Sequence, residues 1–187
     1  KRYGEVLAES LGQPGVCELM LVVSDVDSRH DVVAAFLKEP HRTSFFAARP
    51  GVERQAEAMD LATPAGDLLP ELLAAALTPA VGGEPHLVRF PPTSYWRGEV
   101  RRLCDRSGSI VRLLEELAAA GVEQVIVAGG PSSTPRPHAL PTAGLGLTDR
   151  IGDALALDEA SGLRDAAIAA KSRFSGVYLV SPDHSAI

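Results

Sequence analysis

The sequence predicts an α/β fold with three layers, a mostly parallel sheet carrying helices on both faces. Three observations carry this expectation. Short apolar runs of strand length alternate along the chain with longer amphipathic stretches. No two of these runs are joined by a two-residue hairpin signal, so crossover connections and parallel pairing are the economical arrangement. The 187 residues are 45% hydrophobic but only 5% aromatic, so the core must be built from Leu, Val, Ile and Ala, which suits helices packed on a sheet. That length supports one sizeable core, and hence a single domain over 1–187.

The first element is 18–23, ELMLVV, a short continuous apolar run of the kind expected for a strand covered on both faces. Residues 28–38 then read as a helix capped by Asp27 or Ser28 and stopped by Pro40. The Phe45-Phe46 pair marks a short strand over 44–47, and 52–60 reads as a weak helix. A stronger helix lies within 66–77, its firm part opening at Leu69 or Pro70, where proline is tolerated in the first turn. Residues 86–90, HLVRF, form a strand ended by Pro91-Pro92. Ser109 is placed to cap the clearest amphipathic helix, 109–120, and Gly121 to stop it. The strand 122–128 follows, and with the strand at 86–90 it completes a βαβ unit. Residues 129–147 form a long Pro- and Gly-rich loop. One interrupted helix or two short ones span 148–171, broken at Gly162, before a last strand at 176–180.

Open α/β sheets bind ligands beyond the carboxyl ends of their strands. Three such ends are polar here: Ser24-Asp25-Val26-Asp27, Gly129-Gly130-Pro131-Ser132-Ser133 and Ser181-Pro182-Asp183-His184. A parallel sheet would bring all three to one crevice. Asp25 and Asp27 alternate, so in an extended segment both carboxylates lie on one side, where they can bind Mg²⁺ or Ca²⁺. The competing reading makes Asp27 a helix cap and leaves Asp25 to solvate the turn. Gly129 and Gly130 directly follow a strand and can present backbone N–H groups to an anion or an ester oxygen, or simply form a tight turn. Asp183 and His184 pair a carboxylate with an imidazole, as base catalysis requires, or else occupy an exposed turn. His30 and Asp31 read as first-turn helix surface.

A net charge of -6 argues against nucleic acid as a partner. Arg97, Arg101, Arg102 and Arg106 are the local exception, either an anion-binding cluster or a solvated face. Cys17 and Cys104 lie in no CxxC spacing, and no apolar run reaches membrane-span length, as expected of a cytoplasmic chain. The chain opens without Met and closes on SPDHSAI, which reads as a piece of a longer protein. P-loop, GxGxxG and HExxH patterns are absent, and so is a GxSxG nucleophile elbow.

The segments GVEQVIVAGG, the Pro-rich loop after it and FSGVYLVSPDHSAI resemble the distal half of bacterial patatin-like proteins, over about residues 110–187. The resemblance implies an α/β hydrolase acting on acyl esters of lipids through a Ser–Asp dyad. That family's serine sits in GxSxG and its aspartate in DG[GA]; neither occurs here, so no catalytic residue carries over and the nucleophile would lie outside this chain. The chain thus reads first as a hydrolase-related domain taking a small molecule or lipid ester. Two alternatives are a non-catalytic small-ligand or nucleotide-binding domain and a protein-interaction module. No particular cofactor is indicated.

Overall fold

The computed structural model describes residues 18–47, 56–63, 67–80, 83–92, 94, 96–128 and 146–180, together with Val6 and Glu9. Within the chain, contacts separate two compact units, Lys1–Ala120 and Gly121–Ile187.

The first unit is organised by β1 (Leu19–Asp25), β2 (Asp31–Phe36), β3 (Ala56–Asp60), β4 (His86–Arg89) and β5 (Val100–Cys104), which form one sheet in the order β3-β2-β1-β5-β4. The mostly parallel sheet expected from the sequence is overturned. β1 runs antiparallel to β2 and to β5, and β4 antiparallel to β5; only β2 and β3 are parallel.

The error traces to residues 28–38, which form β2 rather than a helix. Asp27 and Ser28 are used in a hairpin loop, not a helix cap. Asp and Ser serve both purposes, because their short side chains bond nearby backbone and turn groups. The loop is four residues, Val26–Arg29, closed by Asp25 N–H donating to His30 O at 2.8 Å and Arg29 N–H donating to Asp25 O at 2.8 Å. Arg29 supplies the left-handed step at φ 61. A four-residue loop escapes a search for two-residue hairpins. β2 itself is buried on both faces from Asp31 to Ala35, so it lacks the alternation of a half-exposed strand, and its Val-Val start favours extended backbone.

Three further elements differ from expectation. Residues 41–46 form a short helix, α1 (His41–Phe46), rather than a strand at 44–47; Phe45 is buried under it and meets Phe46 edge to face at 4.8 Å. β3 replaces the weak helix expected over 52–60, of which 52–55 fall outside the described residues. β5 lies in the Arg-rich stretch that carried no strand expectation.

α2 (Leu69–Ala76) covers one sheet face, with Leu72 and Ala75 packed among Leu21, Val23, Val32, Val88, Phe90 and Leu103. Pro70 sits in its first turn. α3 (Ser109–Ala119) packs on β1 and β2. Alternation sends Met20 and Val22 to the opposite face from Leu21 and Val23, toward Val33, Ala35 and Phe45. Arg42 of α1 clasps Asp60 at the end of β3, through Nε at 2.9 Å and a terminal nitrogen at 2.6 Å.

In the second unit β6 (Gln124–Ala128) and β7 (Gly176–Val180) pair in parallel, joined through α4 (Leu147–Lys171). The βαβ unit is therefore β6-α4-β7, not the strand at 86–90 with that at 122–128. α4 continues through Gly162. One glycine costs a helix about 1 kcal/mol, which a run of Ala, Leu and Arg neighbours absorbs. Ala166, Ala170 and Phe174 are buried together with Val125 and Val127 of β6.

Leu103, fully buried under α2, and Leu87, 63% exposed on the adjoining strand, give opposite expectations for truncation. Leu103→Ala should cost about 2–5 kcal/mol, and Leu87→Ala less than about 0.5 kcal/mol. Urea unfolding of the two variants measures both.

Candidate functional site

β1 is the middle strand, and it ends in two consecutive polar residues that its pleat sends to opposite faces. Both are buried, so each must find partners where it lands.

On the α3 side, the Ser24 hydroxyl donates to Asp31 Oδ1 at 2.5 Å across the β1–β2 pair and lies 2.8 Å from the Ser109 hydroxyl. Ser109 also reaches Asp31 Oδ1 at 3.4 Å. Arg106 closes the network from solvent, donating to both Asp31 oxygens at 3.3 and 3.4 Å. Asp31 is therefore a buried strand residue rather than helix surface. Ser109 is the first residue of α3, and its hydroxyl ties that helix to the sheet; it makes no cap bond to the helix backbone.

On the α2 side, Asp25 organises the hairpin. Its carboxylate accepts from the Asp27 backbone N–H at 3.1 Å and from the Ser28 hydroxyl at 2.6 Å. Arg101 of β5 approaches the same group at 3.5 Å, donates to Glu99 at 2.5 Å and lies 5.5 Å over the Trp96 ring. Trp96 in turn packs on Phe90 at 4.5 Å. Asp25 does not solvate the turn; its side chain is fully buried.

Asp27 lies outside this interior and pairs with Arg102 of β5. The hydrogen bond from Arg102 holds the Asp27 carboxyl below the ordinary carboxylate range, against a smaller opposing effect of desolvation. The two aspartates therefore face different surroundings, each beside an arginine, and a cation binding both would have to displace those guanidinium groups. Among the described residues no group of three His, Cys, Asp or Glu side chains is arranged to hold a metal ion.

Arg101, Arg102 and Arg106 thus each bind an aspartate of the β1–β2 hairpin. The signal for these pairs was present in the sequence, as a run of basic residues in a chain whose first strand ends in DxD, but spacing does not reveal which charges meet.

Two His–carboxylate pairs lie elsewhere. His86 Nε2 of β4 meets Glu71 of α2, half-buried, and His41 meets Glu18 at 3.0 Å near the surface. Cys104 is buried as a free thiol, and burial raises its pKa, with Asp105 adding to the effect.

In the second unit, the carboxyl ends of β6 and β7 are neighbours, Ala128 standing opposite Val180. The expected site residues Gly129, Gly130, Asp183 and His184 follow these two strand ends and lie outside the described residues. The end of β1 belongs to the other unit. No family model, curated protein or solved structure matches the chain.

Asp25→Asn keeps the shape of the turn but removes the charge that Ser28, the Asp27 N–H and Arg101 share. It should cost about 1–3 kcal/mol in chemical unfolding, whereas Asp27→Asn, exposed, should lower the unfolding midpoint by much less. Because the Asp27 carboxyl is depressed in the folded state, its contribution to stability is present above its unfolded pKa. That contribution disappears as pH falls through the folded value. Arg102→Gln should return Asp27 to the ordinary range, as read by carboxyl NMR titration.

Proposed function

We infer that this chain is a hydrolase-related α/β segment of patatin-like type, acting on an acyl ester of a lipid or another small molecule. Its nucleophile comes from outside the chain. The observation that supports this reading is the in-register parallel pairing of β6 and β7, with Ala128 opposite Val180. Parallel strands joined by a helix send their following segments out at one edge, where such folds hold ligands. In the sequence those segments open with Gly129-Gly130 and with Ser181-Pro182-Asp183-His184.

The division of labour follows from chemistry. An ester carbonyl acquires negative charge as it is attacked, and the backbone N–H groups of the glycine pair are suited to receive it. His184 beside Asp183 is suited to move the proton of the attacking group, the carboxylate favouring the imidazolium that forms.

In the full-length protein, a serine-reactive fluorophosphonate probe should label a residue outside 1–187, and short- and long-chain acyl esters should be turned over. His184→Ala and Asp183→Asn should each reduce turnover by about 100-fold or more while unfolding stays unchanged. Absence of labelling and turnover overturns the hydrolase reading. Stabilisation by a nucleotide without turnover would replace it with a small-ligand site.

A further inference from the structure

β4 is an edge strand of the five-stranded sheet: β5 lies on one side of it, and among the described residues no strand lies on the other. Its backbone polarity is fixed by one contact. The Phe90 N–H donates to Glu99 O at 3.0 Å, so the β4–β5 register makes Phe90, Val88 and His86 the residues whose backbone groups face β5. The N–H and C=O groups of Leu87 and Arg89 therefore point away from β5, along the open edge. Pro85 and Pro91 bracket the strand and limit this edge to a few residues.

The side chains of the same two residues face away from α2. Leu87 is 63% exposed, and Arg89 is exposed with no carboxylate partner among the described residues. The neighbouring positions of β5 continue the surface: Val100, 44% exposed, lies opposite Arg89, and Arg102 lies opposite Leu87. Open backbone groups, an apolar contact and a free positive charge thus occur together on two alternate residues. Strand addition uses this combination, main-chain hydrogen bonds giving affinity and alternate side chains giving selection.

The geometry points to β4 as a docking edge for an extended acidic segment of a partner protein, added antiparallel as a sixth strand. The segment carries Asp or Glu opposite Arg89 and, two residues later, an aliphatic residue opposite Leu87, in the pattern acidic-x-aliphatic. The two must be two residues apart because only alternate positions share a face. A second copy of this chain is a poorer occupant. Pairing β4 with its own copy brings two Arg89 side chains onto one face with no carboxylate between them, and like charges facing each other across strands repel.

The test uses the intact chain and a fluorescein-labelled peptide of alternating Thr with one Asp-x-Val step, read by anisotropy, with amide NMR as the second readout. Expected results are saturable binding, shifts in the Leu87 and Arg89 amides, and slower exchange of those two N–H groups. Replacing the peptide's Asp by Lys, or Arg89→Glu in the protein, should weaken binding about tenfold, and combining the two changes should restore it. Leu87→Pro removes an outward N–H that the β4–β5 ladder does not use, so the variant should fold and fail to bind. Should that variant unfold, N-methylation of the peptide at its β4-facing amides tests the same bonds and should abolish binding. Equal binding by Arg89→Glu, or unchanged binding of the N-methylated peptide, overturns the assignment. Binding of single-stranded DNA as tight as that of the acidic peptide also overturns it, since charge alone would then suffice. The ester turnover proposed for the full-length protein does not use β4, so the two readings fail separately.

Discussion

The carboxylate of Asp25 is the constraint on which the first unit depends. It is buried at the end of the middle strand, where an uncompensated charge would be strongly destabilising. Its two short-range partners, the Asp27 N–H and the Ser28 hydroxyl, exist only if the chain turns back at once. That turn makes β2 the antiparallel neighbour of β1 and rules out the helical crossover that a parallel sheet would need. The third partner, Arg101, comes from β5, which fixes the strand on the other side of β1. One buried charge therefore bears on both pairings of the middle strand. Trp96 lies under the same guanidinium, which links the electrostatics of the turn to the apolar layer beneath α2.

The legible parts of the fold were those in which periodicity, length and punctuation agreed. β1, α2, β4, α3, β6 and β7 lie close to where their apolar patterns and their Gly or Pro boundaries put them. The elements misread were those whose residues satisfy two patterns equally. DVVAAF is apolar throughout, so it has no alternation to identify it as a strand, and the Asp and Ser before it are as suitable for a helix cap as for a hairpin loop. VRRLC hides a strand because two arginines interrupt its apolar sequence. In the structure one of them lies on Trp96 and the other pairs with Asp27 at the surface. Reading β2 as a helix was enough to turn an antiparallel sheet into a parallel one, since strand direction follows from the kind of connection.

The polar residues singled out near the end of β1 were visible as composition, but their roles were not. Asp25 and Asp27 differ by two positions, and in a flat strand they would share a face. The chain leaves extended geometry at Val26, so that rule stops applying between them, and one carboxylate turns inward while the other stays with Arg102. Ser109, read as a helix cap, is instead the contact between a helix and the strand beneath it. Such pairings join residues far apart in the chain, and no local pattern announces them.

That last point bears on how the chain reaches its folded state. The Ser24 hydroxyl holds one bond to a residue 7 positions away, Asp31, and another to a residue 85 positions away, Ser109. The first can form as soon as the hairpin closes, on the microsecond scale of such motions. The second must close a loop of 85 residues, and contacts of long sequence separation slow folding because closure entropy is lost before any bond is gained. A single oxygen thus holds one contact that is local in the chain and one that is distant. Until α3 docks, Ser24 and Asp31 form a half-finished polar pair open to water, and the arrival of Ser109 and Arg106 is what seals it.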